Sequence, residues 1–427
     1  MPTILRQPRT FFLLPLITSL FFLWTAFCGF PFVVDAALYI GGPGAGYDAL
    51  DFSIHHAVAT GETETLSAPL EVTGSLAVSG TFNANGQPVT VPQALIVDGG
   101  SSFTSGASVV TLAGSVASYT STNVDPDATT WTNGTLFIRS DLSQTLPSGE
   151  TYGNLYLDDY TGGATTYTMG STIEGDWVIY ADATVEMTDD ITVTGDVVVE
   201  GTLNTNGFAL GVGGDVVLDG GTIAIDDSTI SVAGNWDNSG GGTLTPGTGT
   251  VALTGTSQQV LGSTTFYNLT KTVASADTLT FGDGTTQTIS AGGTLTLTGA
   301  HGAVLSLRTV SDDGVATFTI MDNGFEDVSF VDVKDAIATN GITATYAVDA
   351  SGNTNWTFAS HLVTSTANTL TAGTLRWAMT YALSDQAIYF DTTVFPSAAP
   401  ATISVTTALP AVSQGNLTID ASPNAGG

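Results

Sequence analysis

Apolar and polar residues alternate in short runs along most of this chain, and Thr294-Leu295-Thr296-Leu297 shows the pattern plainly. A period of two belongs to a half-buried β-strand, whose successive side chains point to opposite faces. Gly, Asn and Asp fall between the runs, where a corner needs positive φ or a side chain that bonds its own backbone. Helical periodicity is nearly absent. The exception is Leu375, Ala378, Met379, Ala382 and Leu383, which occupy the i, i+3, i+4, i+7, i+8 positions of one helical face. The pattern predicts an all-β protein with one short amphipathic helix near residues 374–384.

A repeat decides which all-β architecture is expected. Ile173-Glu174-Gly175-Asp176, Val193-Thr194-Gly195-Asp196, Val212-Gly213-Gly214-Asp215 and Val232-Ala233-Gly234-Asn235 share one pattern, with glycines 20, 19 and 20 residues apart. That period suits one rung of a β-solenoid, in which short strands turn corners and stack on the next rung. Val193, Val212 and Val232 are then expected in one inward-facing row. A longer repeat overlies the rung. The segment from Val72 to Gly86 (VTGSLAVSGTFNANG) matches that from Val193 to Gly207 (VTGDVVVEGTLNTNG) at 9 of 15 residues, with an offset of 121. Ser143-Gln144 precedes Asn154-Leu155 by 11 residues, as Ser257-Gln258 precedes Asn268-Leu269. Tandem β-sandwiches remain the rival, since paired strands with regular turns give a similar spacing. Four successive recurrences without a change of pattern favour a parallel β-helix.

Two stretches resemble known families. Phe266-Tyr267-Asn268-Leu269-Thr270, Leu305-Ser306-Leu307-Arg308, Val328-Ser329-Phe330-Val331-Asp332-Val333 and Asn355-Trp356-Thr357-Phe358 resemble a module of large exported bacterial surface proteins, over roughly residues 235–358. Those proteins are adhesin-like and rich in β-helix. Leu362-Val363-Thr364-Ser365-Thr366, Gly373-Thr374-Leu375-Arg376-Trp377-Ala378-Met379, Ile388-Tyr389-Phe390-Asp391 and Leu417-Thr418-Ile419-Asp420 resemble the opening of a right-handed parallel β-helix of the polymorphic outer-membrane-protein type. That resemblance implies a capping helix before the first coils, with Trp377 standing where a small or polar residue is usual. It also makes Ile388-Tyr389-Phe390, Thr402-Ile403-Ser404-Val405 and Asn416-Leu417-Thr418-Ile419 the expected opening strands. Neither resemblance implies an active site.

Residues 1–36 read as a secretory signal peptide. Arg6 and Arg9 precede an uncharged stretch from Thr10 to Val34, and Val34-Asp35-Ala36 places small residues at −3 and −1 of a cleavage site. The stretch is also long enough to span a bilayer as an uncleaved anchor, but Pro15, Gly29 and Pro31 interrupt it and favour cleavage. The single cysteine, Cys28, lies inside it, so no disulfide framework is available. Four further regions are expected: an N-terminal β-repeat region over 37–130, solenoid repeats over 131–270, a β-rich surface module over 271–358, and the start of a second β-helix over 359–427. Ser422 to Gly427 reads as a turn without the polar cap a solenoid end needs, so the native product is expected to continue.

Charge narrows the partners. The 427 residues carry 39 Asp or Glu against 7 Lys or Arg, a formal charge of −32, which excludes the clustered cations that nucleic acid requires. Hydrophobic residues make up 42% and Gly numbers 50, so the chain is a folded one and not an acidic disordered tail. Surface glycans or other envelope components are the partners left, with membrane contact only through the N-terminal segment.

Catalytic and metal motifs are sparse. There is no G-x-S-x-G and no HExxH. His55 and His56 are adjacent and on a strand point apart; His301 and His361 are isolated. A lyase acting on acidic sugars needs cations, and beyond the signal segment only Arg139, Lys271, Arg308, Lys334 and Arg376 remain. Two carboxylates suffice for a glycosidase, and pairs occur at Asp158-Asp159, Asp189-Asp190, Asp226-Asp227 and Asp312-Asp313, mostly beside turn residues. Gly41-Gly42-Pro43-Gly44-Ala45-Gly46-Tyr47-Asp48 and Asp322-Asn323-Gly324-Phe325-Glu326-Asp327 support at most a weakly held surface calcium ion. Trp131, Trp177, Trp236 and Trp356 are expected to pack in rungs, with sugar stacking as their alternative. The readings predict no catalytic residues, no cofactor, and a secreted or cell-surface structural, adhesin-like solenoid. A secreted carbohydrate-active β-helix enzyme is the rival.

Overall fold

The computed structural model describes residues 55–421 apart from 301–302, 360, 372, 383, 385, 392, 397, 400 and 414. The signal segment, the Gly41–Asp48 motif, His301, Leu383 and the turn at 422–427 lie outside the described residues.

Named strands pair in parallel, in long sheets, and the chain winds round three faces. The longest face has fourteen strands, from Leu70–Glu71 to Val348–Asp349. A second face begins with His56–Val58, Leu76–Val78 and Leu95–Val97, passes through bridges at Ser118 and Val124, and continues from Gln144–Thr145 to Thr243–Thr245. The third runs from the four-stranded sheet that includes Thr63–Thr65 into the twelve-stranded sheet that opens at Thr151–Tyr152. This is a parallel β-solenoid. Parallel strands need a crossover between them, and here the other two faces supply it.

Each strand turns its apolar alternate positions inward, so register partners form columns through the core. Val110, Leu136, Leu155, Trp177, Val197, Val216, Trp236 and Val260 are consecutive partners on the longest face and all are fully buried. The expected row is present on the third face, where Ile173, Val193, Val212 and Val232 pair in succession and none is more than 3% exposed. Burial of each such side chain is worth about 1.5–3 kcal/mol.

The long repeat has a different meaning from a second period. Leu76–Val78 lies on the second face, whereas its sequence counterpart Val197–Val199 lies on the longest face. The offset of 121 therefore does not return the chain to the same edge. What recurs is a corner, since all three edges pose the same steric problem. Asn85-Gly86 and Asn206-Gly207 have φ of 51° and 77°, and of 52° and 83°, the left-handed conformation that Asn and Gly tolerate best. Each Asn also donates its side-chain amide to the preceding rung, Asn85 to Leu66 O at 3.0 Å and Asn206 to Met187 O at 3.1 Å.

The C-terminal unit has its own small core of Val363, Ala378, Met379, Ala382 and Ile388. Strands His361–Val363, Ala387–Phe390 and Thr418–Asp420 pair in parallel. The helix spans Leu375–Tyr381, capped by the Thr374 hydroxyl, which accepts from Trp377 N–H at 3.2 Å. It stops at Ala382, which is extended (φ −62°, ψ 140°), short of the expected 384. Thr402–Val405 is a correction: it forms no strand. That stretch is followed by Thr407 and Ala408, whose carbonyls accept from the Arg376 guanidinium at 2.7 Å each, so side-chain bonds hold the segment where a ladder was expected. Trp377 packs among aromatic rings, with centroids 5.2 Å from Tyr346 of the solenoid and 5.5 Å from His361.

Candidate functional site

Five successive rungs of the longest face present an ordered outer surface. Alternation turns Phe137, Tyr156, Val178, Val198 and Val217 outward, and they are register partners in one half-buried column. On one side of it runs Asn154, Asp176, Asp196, Asp215 and Asn235. On the other run Arg139, Asp158, Tyr180, Glu200 and Asp219, the last three continuing the register past the strand ends through Tyr180 N–H to Leu157 O, Glu200 N–H to Ile179 O and Asp219 N–H to Val199 O. An apolar stripe thus lies between two acidic edges.

The first edge is a hydrogen-bonded ladder and explains the Gly-Asp repeat. Each side-chain Oδ1 accepts from the backbone N–H one rung on: Asn154 from Asp176 at 2.8 Å, Asp176 from Asp196 at 3.0 Å, Asp196 from Asp215 at 2.7 Å, Asp215 from Asn235 at 2.6 Å. Asn235 in turn accepts from Gln259 N–H at 2.8 Å. These oxygens occupy the space where a side chain at the next glycine would sit. A Cβ on Gly175, Gly195, Gly214 or Gly234 would collide with the Oδ1 of Asn154, Asp176, Asp196 or Asp215 respectively. Asn268 repeats the device on the third face, accepting from Thr294 N–H at 3.0 Å.

At one end of the stripe Phe137, Tyr156 and Tyr180 pack on one another, with centroids 5.8–6.4 Å apart. Burial, the Asp176 charge and Tyr180 raise the Tyr156 phenol above its ordinary value. Arg139 pairs with Asp158 at 3.0 Å and lies 5.9 Å from the Tyr160 ring. Burial raises the Asp158 carboxyl despite that partner. Asp176, Asp196, Asp215, Glu200 and Asp219 enter no ion pair among the described residues.

The residues singled out in the sequence are dispersed. Asp159 caps a turn: its carboxylate accepts from the Thr165 hydroxyl and from the N–H groups of Thr161, Gly162 and Gly163, which hold it below the usual range. Asp189 accepts from Asp190 N–H and Asp190 from Ala209 N–H, both at 2.8 Å. Asp226 is a left-handed corner, and Asp312 lies 3.6 Å from Lys334. Asn323, between Asp322 and Gly324, is another left-handed corner. His55 Nδ1 accepts from Ser75 N–H at 3.0 Å, while His56 Nε2 meets Glu64 at 2.7 Å. Trp131, Trp177 and Trp236 are buried in rungs, and Trp356 packs 5.7 Å from Phe318. The aromatics of the stripe are Phe and Tyr. Their signal was in the sequence as T-L-F-I-R and N-L-Y-L-D, where a ring sits between two inward aliphatic positions.

Two buried polar clusters carry no sequence motif. Lys271 is fully buried, 2.9 Å from Asp277 and 2.7 Å from Gln258 Oε1. Burial pushes the Asp277 carboxyl up, but the N–H groups of Ser257 and Thr278 together with Lys271 outweigh it and leave it below the usual range. Glu150, 3% exposed, accepts from the Tyr119 hydroxyl at 3.0 Å and from the Thr129 hydroxyl at 2.7 Å. Burial pushes its carboxyl up to about 7. Comparison with protein-family models, curated proteins and solved structures gives no match.

Proposed function

We propose that the protein is an exported, non-catalytic cell-surface solenoid that acts as a rigid structural or adhesive element, with the striped face its contact surface. The observation that carries this reading is the unbroken fourteen-stranded face, whose outer side chains are ordered in columns over successive rungs. Such a surface is rigid because every rung is tied to the next by backbone bonds, and its columns offer the same contacts repeatedly. The exported, adhesin-like character rests on the signal segment and the two family resemblances. The test is to label intact and permeabilised cells of the producing organism with antibody against residues 131–270. Labelling of intact cells, removed by external protease, supports the reading. Labelling only after permeabilisation overturns it.

A further inference from the structure

Resting on that surface reading, we infer that the face spanning Phe137 to Val217 docks a linear polysaccharide of amino sugars with free amino groups, laid along the solenoid axis. Three features select this occupant. A half-buried stripe of two aromatic and three aliphatic side chains, with the Phe137 and Tyr156 rings at 70° to each other, offers apolar contact to the faces of pyranose rings, which pack on aromatic rings. At about 4.8 Å per rung, its four steps give roughly 19 Å of continuous platform. The acidic edges then fix the charge of the partner: Asp176, Asp196 and Asp215 on one side and Glu200 and Asp219 on the other have no cation of their own among the described residues. An ammonium at the edge of a sugar ring meets a carboxylate while the ring stays on the stripe, and beside Tyr156 and Tyr180 it gains a cation–π contact as well. Acidic glycans are repelled, and so is a second copy of this chain through the same face.

The register itself supplies substitutions that spare the fold. Thr90 and Thr111 precede Phe137 in the central column, so Phe137→Thr with Tyr156→Thr removes the rings and keeps residues that column already uses. Asn154 and Asn235 occupy the ladder, so Asp176→Asn, Asp196→Asn and Asp215→Asn together remove charge and keep every Oδ1 acceptor. The experiment titrates the purified full chain and both variants with a β-1,4-linked glucosamine hexamer, its N-acetylated counterpart and hexalysine, by calorimetry at low salt. The expected result is saturable binding of the glucosamine hexamer, about tenfold weaker in each variant, that is about 1.4 kcal/mol, with the other two probes weaker on the native protein. Three results overturn it: no binding; equal binding of the N-acetylated hexamer, which means a neutral glycan surface; or hexalysine binding as tightly and unaffected by loss of the rings, which means charge attraction alone. None of these bears on whether the protein is displayed on cells, which the antibody experiment decides separately.

Discussion

Replacing Asp196 by Asn should relieve more repulsion in the ladder than the same change at its neighbours. Asp196 has a carboxylate on both sides, Asp176 and Asp215, whereas Asp176 is followed back by Asn154 and Asp215 forward by Asn235. Rungs stack about 4.8 Å apart, and two unit charges about 5 Å apart in water repel by about 0.8 kcal/mol. Asp196→Asn therefore relieves two such repulsions and Asp176→Asn or Asp215→Asn only one. Each change also gives up a charge-assisted acceptor, a loss that Asp196 and Asp176 share and that cancels between them, whereas Asp215 also accepts from Asn235 Nδ2 at 3.3 Å. Asp196→Asn should exceed Asp176→Asn by about 0.8 kcal/mol at low salt, and the gap should shrink at molar salt, where the Debye length falls to about 3 Å. Solenoids unfold locally, so a single melting point blurs the effect; native-state hydrogen exchange of the Val197–Val216 amides reads it directly, as about fourfold slower exchange than in the Asp176 variant. Asp196→Ala is the control: it removes the acceptor for Asp215 N–H and should cost about 1 kcal/mol at every salt concentration. Equal effects at Asp196 and Asp176, or a gap that survives molar salt, would falsify the like-charge account.

Glu150→Gln should change the pH dependence of stability. A carboxyl raised to about 7 in the fold from about 4.5 unfolded binds protons more tightly when folded, so its contribution is present below about pH 4.5 and is lost as pH rises through 7. The shift corresponds to about 3 kcal/mol, so the Gln variant should gain on the native chain between pH 5 and pH 8 in urea titrations; a constant difference refutes this. Lys271→Ala leaves the Asp277 carboxylate without its cation and should cost about 3–5 kcal/mol, while Lys271→Met with Asp277→Asn, which keeps the acceptor for Ser257 and Thr278 N–H, should recover most of it; thermal melts of the single and double variants decide. Val212→Asp places a charge between Val193 and Val232 and should cost several kcal/mol, and an unmoved melting profile removes that row from the core. Gly195→Ala should destabilise by displacing the Asp176 oxygen, with exchange protection lost first at Asp196 N–H.

The solenoid was legible because its two governing signals are local. Alternation placed Leu155, Trp177 and Val197 inside, and the Gly-Asp spacing gave the rung, since one glycine per turn must yield room to the side chain stacked behind it. The burial of Trp177 and Trp236 followed from their place just after that corner. Less legible was anything that depends on which edge of the prism a motif occupies. The matched segments at Val72 and Val193 share 9 of 15 residues and sit on different faces, because the wider rung between Val110 and Leu136 shifts the phase without altering any corner's chemistry. Lys271 was equally hidden. Nothing in T-K-T marks a buried cation, which is fixed by Gln258, just before one strand, and Asp277, at the start of another.

The same ladder that stabilises the corners also creates the acidic edge, and that coincidence has a physical root. A corner oxygen that must accept an N–H from the next rung can belong to Asp or Asn with equal geometry, as Asn154 and Asn235 demonstrate at the two ends. In the middle of the ladder an Asp meets repulsion from both sides, of about 0.8 kcal/mol per neighbour in water, against the stronger bond that a charged acceptor makes. The bond geometry does not require three consecutive Asp residues in that position, since Asn keeps the same acceptor. A charged column that the geometry does not require points to function. On the opposite edge Glu200 and Asp219 strengthen the inference, because no ladder bond needs those carboxylates and yet they face the first edge across an apolar stripe. Charge arranged on both sides of a half-buried apolar stripe, with aromatic rings at one end of it, defines a surface with an orientation, along which a cationic chain is drawn and held in line with the axis.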